Sequence, residues 1–464
     1  MLLSYLKVAL TTTLNIVLYA LTFGRFIWLE GRVCCGVFRN WTRDFRYRPR
    51  KFARPADEAQ LASVVRGAGR LRLFGAGHSF NSGVVSDEVL ISLDDLSGRV
   101  CLDKSARTMT VRGGTRVRDV VRLLFDEGLA FKALPSHDAQ SIGGILSTDV
   151  HGTGRDWGFV SQLVESLNVM DADGNVKTCR PEDPLFKAAV GGIGAAGVVT
   201  EVTVKAVPRF NVEQKVEKSN VRYVEQNLPR LLEENEHLSL YLFPFTKRCQ
   251  INTWNQTPKA RSTLGDLREF ISISLDALLA SWFGGLMALT GLLPALSDIA
   301  HSLKRGSNLV LESNRAFNRT IYHLHQELEF AIPYEQTFAA CDAFVRLYEH
   351  MYRQRKLPYA LFEVRFTPEG HKRTLVGAGR ERRSVWIDLL VNESEGWERF
   401  YHEAEKLMRE FGARPHLGKF CQSYTKQDME GLHGERFAEF LDVVEAQDPT
   451  RKFSNDFTRR LFGR

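Results

Sequence analysis

Three glycine-rich turns in the first third of the chain have the composition of a phosphate-binding site. They are Gly75-Ala76-Gly77-His78-Ser79, Ser141-Ile142-Gly143-Gly144 and His151-Gly152-Thr153-Gly154. Glycine lets the backbone come close to a ligand and offer its N–H groups to phosphate oxygens. A single turn of this kind often only reverses the chain. Three of them within about eighty residues suit a diphosphate better than a single phosphate.

A charged pair in the second half of the chain could act on a bound alcohol. The segment Phe362-Glu363-Val364-Arg365-Phe366 has the composition of a strand, and the two-residue repeat of a strand places Glu363 and Arg365 on one face. A carboxylate beside a guanidinium can hold hydroxyl groups and stabilise a developing alkoxide. The structural alternative is an exposed cross-strand ion pair.

A fourth glycine string, at 192–197, satisfies the G-x-G-x-x-G pattern of nicotinamide dinucleotide sites. That pattern requires a strand before it and a helix after it, so that the diphosphate meets a helix N-terminus. Here a helical run at 184–190 comes first and a β-branched run at 198–204 follows. We therefore exclude a Rossmann-type nicotinamide site.

No pattern in the chain is typical of a metal site or a disulfide scaffold. The seven cysteines form no C-x-x-C pair, and their number is odd. His323 and His325 could be two metal ligands, but no third ligand is near them in the sequence. We expect reduced thiols and no bound metal.

The composition is that of a soluble globular protein of two or three domains. With 464 residues, 44% hydrophobic and 25% charged, the chain is neither disordered nor collagen-like nor a coiled coil. The net charge of +7 is spread too thinly to indicate a nucleic-acid partner.

The order of elements predicts an α+β fold. Residues 38–210 alternate short β-rich runs with glycine-rich turns and helical patterns, which indicates a first domain. Residues 211–415 have longer strands and amphipathic helices and form a second. The tail, 416–464, is short and polar, with one expected helix at Gly434 to Glu445.

The N-terminal segment, 1–37, is hydrophobic and then basic. Residues 8–24 carry no charge, a length near the lower limit for a bilayer-spanning helix. Nine basic and two acidic residues follow within 25–54, which favours a body that faces the cytoplasm. We expect an uncleaved anchor, a transmembrane helix or a membrane-surface helix. The alternatives are a cleaved signal peptide and a helix packed on the body.

A second apolar segment, 270–297, interrupts the second domain. Its residues 277–297 carry no charge. A single membrane crossing would separate His78 from Lys419, which the motifs below place in one site. We expect a helical hairpin bent at Gly284-Gly285 or at Gly291 to Pro294, which lies on a membrane surface or forms a buried or dimer face. If the hairpin forms a dimer face, we expect a homo-oligomer.

Together the motifs resemble the vanillyl-alcohol-oxidase type of FAD-linked oxidoreductase, with its PCMH-type FAD-binding domain of two subdomains and its α+β substrate, or cap, domain. Within that family the chain is most similar to the aldonolactone and alditol (xylitol) oxidase branch. The resemblance covers about 38–464 and rests on motifs kept in order, whereas 1–37 and 270–297 lie outside it. The motifs are GAGHSF, LPSHDAQSIGG, HGTG, GGIGAAGVVTEVTVKAVP, PHLGK and DPTRKFSNDF.

The resemblance implies an FAD site and a covalent bond from His78 to the flavin 8α-methyl carbon. A neutral imidazole nitrogen is a competent nucleophile for that bond, although some relatives hold flavin non-covalently. The residues that match the family's FAD contacts are His78, Gly75, Ala76, Gly77, Ser79, Ser141, Gly143, Gly144, His151, Thr153 and Val199.

The resemblance also assigns the catalytic residues. Glu363 and Arg365 match the family's E-x-R, and Lys419 matches the lysine of its H-W-G-K motif, where its charge would favour the anion formed on flavin reduction. Leu417 departs from the motif's tryptophan, which leaves local packing and substrate identity open.

We therefore expect a membrane-associated FAD-dependent oxidoreductase that transfers hydride from an alcohol of a sugar lactone or alditol to flavin N5. One alternative is a lipid-linked sugar or another lipophilic alcohol as substrate. Another is a catalytically silent FAD-binding membrane module. The electron acceptor could be oxygen, a cytochrome or a quinone.

Overall fold

A computed structural model of the chain describes residues 2–22, 30–303, 306–318, 324–355, 357, 360–392 and 396–464. Helices and sheets alternate along these residues, and the α+β prediction is confirmed. The described helices are α1 Leu2–Leu21, α2 Glu58–Gly67, α3 Val117–Asp126, α4 Ile142–Ser147, α5 Pro184–Ala189, α6 Val221–Glu234, α7 Gly265–Leu278, α8 Gly284–Thr290, α9 Leu293–Leu303, α10 Ser313–Phe317, α11 Thr337–Arg355, α12 Trp397–Glu410, α13 Lys426–His433, α14 Glu435–Gln447 and α15 Asp456–Phe462.

The described strands form five sheets. They are β1 Arg32–Cys34, β2 Val37–Arg39, β3 Arg46–Tyr47, β4 Lys51–Ala53, β5 Leu71–Phe74, β6 Val89–Ser92, β7 Arg99–Asp103, β8 Thr108–Arg112, β9 Leu129–Ala130, β10 Val164–Met170, β11 Val176–Cys179, β12 Val198–Lys205, β13 Val207–Pro208, β14 Asn211–Asn220, β15 His237–Leu242, β16 Arg248–Thr257, β17 Ser307–Glu312, β18 His325–Pro333, β19 Ala360–Thr367, β20 Ser384–Asn392 and β21 Arg414–Pro415.

Four of these sheets lie in the first half of the chain, and two of them carry the site. A parallel sheet has the order β4-β6-β5, and its strand β5 ends at the first glycine-rich turn. An antiparallel sheet has the order β11-β10-β12-β8-β7. As the sequence predicted, helix α5 comes before the glycine string at 192–197 and strand β12 comes after it.

An eight-stranded sheet dominates the second half, with the order β17-β14-β16-β15-β19-β20-β18-β21. Its strands alternate apolar and polar residues, so one face is apolar and the other is polar. On strand β19, Phe362 and Val364 lie on the apolar face, which packs against α11 and α12. The ring of Phe362 contacts Phe344 and Tyr348 of α11, with centroid distances of 5.4 and 5.6 Å. This packing fixes the strands whose polar face carries the site.

The tail, 416–464, returns to the parallel sheet β4-β6-β5. It contains three described helices, α13, α14 and α15, so the expectation of a single helix was wrong. The amide of Leu71 donates to the carbonyl of Lys452 at 2.8 Å. The buried guanidinium of Arg72 donates to the carbonyls of Gly83, Ile193 and Phe453, each at 2.6 Å. These bonds join segments that are far apart in sequence beside the glycine-rich turns.

The apolar segment around 270–297 is helical and bends at one of the two expected positions. Helix α7 continues through a π-helical turn, Leu279–Phe283, into α8, so Gly284-Gly285 lies within continuous helix. The bend falls at Gly291, which ends α8 with a φ of 74°. Glycine adopts this left-handed conformation at little cost. The N-terminal helix α1 packs against α7 and α8.

Candidate functional site

One deep cavity lies between the glycine-rich turns and the polar face of the eight-stranded sheet. Its lining includes all five residues from Gly75 to Ser79, together with Ser141, Gly143, Gly144, His151 and Val199. Across the cavity, the sheet contributes Glu327, Glu329 and Arg365, and the segment after β21 contributes His416 to Lys419. The first, middle and last parts of the chain therefore meet at one site.

The first turn is held from behind by the segment that follows α1. The amide of Gly31 donates to the carbonyl of Ala76 at 2.7 Å, and the amide of Trp41 donates to the carbonyl of Gly77 at 3.1 Å. Gly77 has a φ of 64°, and a Cβ there would lie 2.7 Å from the Cα of Gly31. Glycine is required at this point by both conformation and space.

The His78 ring lies among other rings in the cavity wall. It stacks on Trp41, with a centroid distance of 5.1 Å and an interplanar angle of 18°. His137 packs edge-on against His78 at 4.4 Å. Burial lowers the pKa of His137 to about 3, which favours a neutral ring.

The turns present polar groups that fit the diphosphate and ring of FAD. The amides of Ala76, Gly77 and Ser79 donate no hydrogen bond to any described residue. Neither ring nitrogen of His137 has a hydrogen-bond partner in the described part of the chain. A Cβ at Gly75 would lie 1.9 Å from Ser141 Oγ, so only glycine lets these two turns meet. Buried polar groups need partners, and a bound cofactor supplies them.

A row of acidic side chains crosses the polar face of the sheet, and Arg365 lies among them. In the strand register, Asp388 of β20 pairs with Glu363 of β19 on one side and with Glu329 of β18 on the other. The guanidinium of Arg365 reaches across the row, contacts Glu329 and donates to Asp388 Oδ2 at 3.0 Å. Burial alone would lower the pKa of Arg365, but Glu329, Glu363 and Asp388 raise it above its ordinary value. Arg365 therefore stays charged.

The two acids that flank Arg365 differ in charge. Burial would raise the pKa of Glu329, but Arg365 and His151 lower it well below its usual range. Burial and the nearby charge of Glu329 raise the pKa of Asp388 well above its usual range. The row therefore holds an ionised Glu329, and the neutral form of Asp388 is favoured.

Two buried histidines extend this row toward the glycine-rich turns. His151 Nε2 lies 3.2 Å from Glu329 Oε1, and its ring stacks on Trp386 at 3.7 Å. His416 Nδ1 accepts from the amide of Gly418 at 3.0 Å. Burial lowers the pKa of both rings, that of His416 to about 4. Neutral imidazoles are therefore available beside the charged row.

Lys419 completes the cavity wall. Its Nζ contacts Glu327, whose other oxygen lies 2.9 Å from His325 Nε2. Burial lowers the pKa of Lys419 to about 7. Its backbone is fixed by Asn81, which donates from Nδ2 to the carbonyls of Leu417 and Lys419. The lysine of the C-terminal motif therefore lies within the same cavity as the first turn.

Twelve of the fourteen predicted site residues line the cavity, and two do not. The Thr153 hydroxyl donates to the strand carbonyls of Leu238 and Phe366, so it ties the third turn to the sheet. Glu363 lies two strands away from Glu329, with Asp388 between them. The sequence correctly placed Glu363 and Arg365 on one face, but only the longer arginine reaches the lining.

Several lining residues were not predicted as site residues. They are Trp41, Asn81, His137, Glu327, Glu329 and His416. A signal for two of them exists in the sequence, since Glu327 and Glu329 alternate with Leu328 and Phe330. Acidic residues that alternate with apolar ones in a strand indicate a polar face. Asp388, behind the lining, has the same signal between Ile387 and Leu389.

One group of side chains in the cavity has the composition of a metal site. The ligand atoms of His151, Glu329 and His416 lie within 4.8 Å of one another. Arg365 contacts the same Glu329 oxygen that faces His151. Its positive charge opposes a cation there. His323, named above as a possible ligand, lies outside the described residues.

Two family models match the chain. A model of D-arabinono-1,4-lactone oxidase matches residues 202–461, which is more than half of the chain. A model of an FAD binding domain matches residues 49–180. The second match includes the three glycine-rich turns, and the first includes Glu329, Arg365 and Lys419.

Relatives match along almost the whole chain. L-gulono-1,4-lactone dehydrogenase of Mycobacterium tuberculosis is 27% identical over 440 residues, which cover 92% of this chain and 99% of the relative. L-gulonolactone oxidase of Mus musculus is 25% identical over 444 residues, with coverages of 92% and 98%.

A solved structure shares the fold. The cholesterol oxidase of B. sterolicum superposes with a TM-score of 0.73 at 17% identity, over 93% of this chain and 97% of that chain.

The glycine-rich turns, the buried charges that face them and the two family matches lead to one conclusion. The chain belongs to the D-arabinono-1,4-lactone oxidase family of FAD-dependent oxidoreductases.

Proposed function

We propose that this protein oxidises an alcohol group of a sugar-derived lactone, with FAD as the hydride acceptor. The observation that carries the proposal is the cavity, in which Arg365 and Lys419 face the glycine-rich turns that fit FAD. The names of the relatives support a lactone as substrate. Alditols are the second class of substrate that we propose to test.

Arg365 is the proposed group that binds and polarises the reacting alcohol. Its guanidinium contacts the ionised Glu329 and donates to Asp388, so it is fixed before a substrate arrives. A guanidinium that is already in place stabilises developing negative charge on oxygen at little cost in reorganisation. Glu363 acts through Arg365, because its charge raises the pKa of that side chain.

Lys419 is the proposed counter-charge for the reduced cofactor. FAD supplies the site that accepts hydride and becomes more negative when reduced. The protonated form of Lys419 would offset this charge, and Glu327 holds its Nζ at the cavity wall. The neutral imidazole of His151 is the proposed acceptor of the proton that the alcohol releases, because its Nδ1 donates to the carbonyl of Gly152 at 2.9 Å and its Nε2 carries the lone pair.

We also propose that His78 attaches FAD covalently through its imidazole. The turn that carries His78 is fixed by two hydrogen bonds to its carbonyls, and the ring lines the cavity. A ring held in this way can form a bond to the flavin 8α carbon. The imidazole N–H and one C–H of the 8α-methyl group would each give up a proton, the two electrons would reduce the flavin, and the electron acceptor of the reaction would reoxidise it.

We propose oxygen, a cytochrome or a quinone as the electron acceptor that reoxidises the flavin. The basic residues that follow α1 favour a catalytic body that faces the cytoplasm.

The proposed reaction predicts that a lactone bleaches the flavin in the absence of air. We expect L-gulono- or D-arabinono-lactone to reduce the bound flavin faster than alditols or free sugars, as followed by anaerobic stopped-flow absorbance. Admission of air then distinguishes oxidase from dehydrogenase by the rate of reoxidation. A flavin that stays oxidised with every lactone and alditol would refute the proposal.

Substitution of Arg365 with lysine should slow flavin reduction without loss of flavin. Lysine keeps the charge beside Glu329 and Asp388 but loses the planar fork, and we expect a decrease of about 10²–10³-fold in the reduction rate. The matched control is Arg414→Lys, since Arg414 lies outside the lining and donates to the carbonyls of Arg380 and Leu432. Equal losses of rate and flavin content in Arg365→Lys would contradict the assignment.

The covalent bond between His78 and the flavin can be detected on a single tryptic peptide. Cleavage after Arg72 and Arg99 releases residues 73–99, in which His78 is the only histidine. We expect this peptide to carry the flavin mass and fluorescence after denaturation, and His78→Ala to release all flavin. Wild-type protein whose flavin separates entirely on denaturation would show that the link does not form.

The rate of flavin reduction should depend on the charge of Lys419. The ammonium is present below its pKa and is lost as the pH rises through it, so we expect a decline on the alkaline side of about pH 7. Arginine remains charged throughout this range, and Lys419→Arg should remove the decline. The same decline in the variant would assign it to another group.

A further inference from the structure

Two segments that are separated by more than 240 residues form one helical unit on the surface. We define the apolar platform as helix α1 together with residues 264–303, which contain α7, the π-helical turn, α8 and α9. The rings of Tyr19 and Phe270 stack at 5.6 Å, and Trp282 Nε1 donates to Thr13 Oγ1 at 3.1 Å. A Cβ at Gly285 would lie 2.9 Å from the Tyr5 ring, so the helices are in close contact.

The outer face of the platform is apolar and exposed. Sixteen of the twenty-two large hydrophobic residues that are exposed in the described chain belong to it, so exposed apolar surface is concentrated here. On α1, and from Leu264 to Leu286, most of them are three or four residues apart and form one stripe, whereas Leu292 and Ile299 stand apart from it. The sixteen residues are Leu3, Leu6, Leu10, Leu14, Val17 and Leu21 on α1, and Leu264, Leu267, Ile271, Leu275, Leu279, Trp282, Phe283, Leu286, Leu292 and Ile299 on the second segment.

The platform is not a buried core element. The helical stretch Gly265–Met287 has a mean hydropathy of 1.5 over its most apolar window, and only 28% of that window is buried. Helix α1 turns Val8, Ala9 and Thr12 inward, where they are buried against the second segment, and exposes the leucines outward. Polar Thr12 and Asn15 would enter the lipid core if α1 left this packing to span a bilayer alone.

We infer that the platform is a membrane-docking surface, on which α1, α7 and α8 lie in the plane of a lipid leaflet with their exposed leucines in the hydrocarbon. Eleven of the sixteen exposed residues are leucine. Protein interfaces instead concentrate aromatic residues, methionine and arginine, and leucine is under-represented among their strongest contacts. A leucine-rich stripe matches acyl chains.

Cations and acids both occur at the edge of the platform, and the cations lie on α1 and around the start of α7. Helix α1 contains one charged residue, the exposed Lys7, and no acidic one. Lys259, Arg261 and Arg268 are exposed near the start of α7, whereas Asp266, Asp276 and Asp298 are the exposed acidic residues of the second segment. Cations at the rim of an apolar face are attracted to anionic headgroups.

The platform is attached to the catalytic body by polar contacts. Arg315 of α10 donates to the Tyr19 hydroxyl at 3.4 Å and lies 3.9 Å from Glu269 of α7. Glu30, nine residues after the end of α1, forms ion pairs with Arg116 and Arg118 at 3.0 and 2.9 Å. A membrane that holds the platform therefore also fixes the orientation of the cavity.

The test is flotation of the flavin-loaded full-length protein, purified in mild detergent, with vesicles of phosphatidylcholine and phosphatidylglycerol. We expect the wild type to float with the vesicles. The double variant Leu10→Glu and Leu275→Glu should lower the bound fraction about tenfold or more, because each substitution places a charge in the apolar layer. Flavin content and lactone-dependent bleaching in detergent should be unchanged, since neither residue lines the cavity.

The matched control is the double variant Val100→Glu and Val176→Glu. These side chains are 44% and 37% exposed on other parts of the surface, and this variant should float like the wild type. A wild type that does not float, or a platform variant that floats equally well, would overturn the inference. A platform variant that instead converts a wild-type dimer into a monomer in light scattering, with no vesicle binding by either protein, would assign the face to a second copy.

Discussion

The site depends on one buried guanidinium. Arg365 is removed from water between Glu329 and Asp388, and these three residues come from three neighbouring strands. A buried charge is tolerated only when its partners surround it, and loss of one partner leaves the others uncompensated. The register of β18, β19 and β20 is therefore linked to the electrostatics of the cavity. On the opposite face, Phe362 and Val364 fix the same strand in the apolar core.

The glycine-rich turns face this charged row because the chain returns to them repeatedly. Gly31 and Trp41 hold the carbonyls of the first turn, and Asn81 holds the backbone on both sides of Gly418. The stretch that begins at Glu30 therefore connects two features, the apolar platform on one side and the turn that carries His78 on the other. Helix α1, which lies outside the family resemblance, is thus followed within ten residues by Gly31, which holds the first turn.

Local signals in the sequence were sufficient to predict the turns and to show which residues of β19 share a face. Where two turns come close together, as at Gly75, the glycine itself is visible in the sequence. The two-residue repeat of a strand put Glu363 and Arg365 on one face. The row of Glu363, Asp388 and Glu329 depends on which strands are neighbours, and no local pattern contains that information. For the same reason the sequence could not show that Thr153 faces strand carbonyls, or that α1 packs on α7 and α8.

The most direct test of the central claim is a crystal structure of the flavin-loaded protein with a lactone bound. We expect His78 to contact the isoalloxazine ring, and Arg365 and Lys419 to lie within contact distance of the ring or of the lactone in the same cavity. A flavin bound elsewhere, or one that leaves Arg365 and Lys419 remote from both ring and lactone, would contradict that claim.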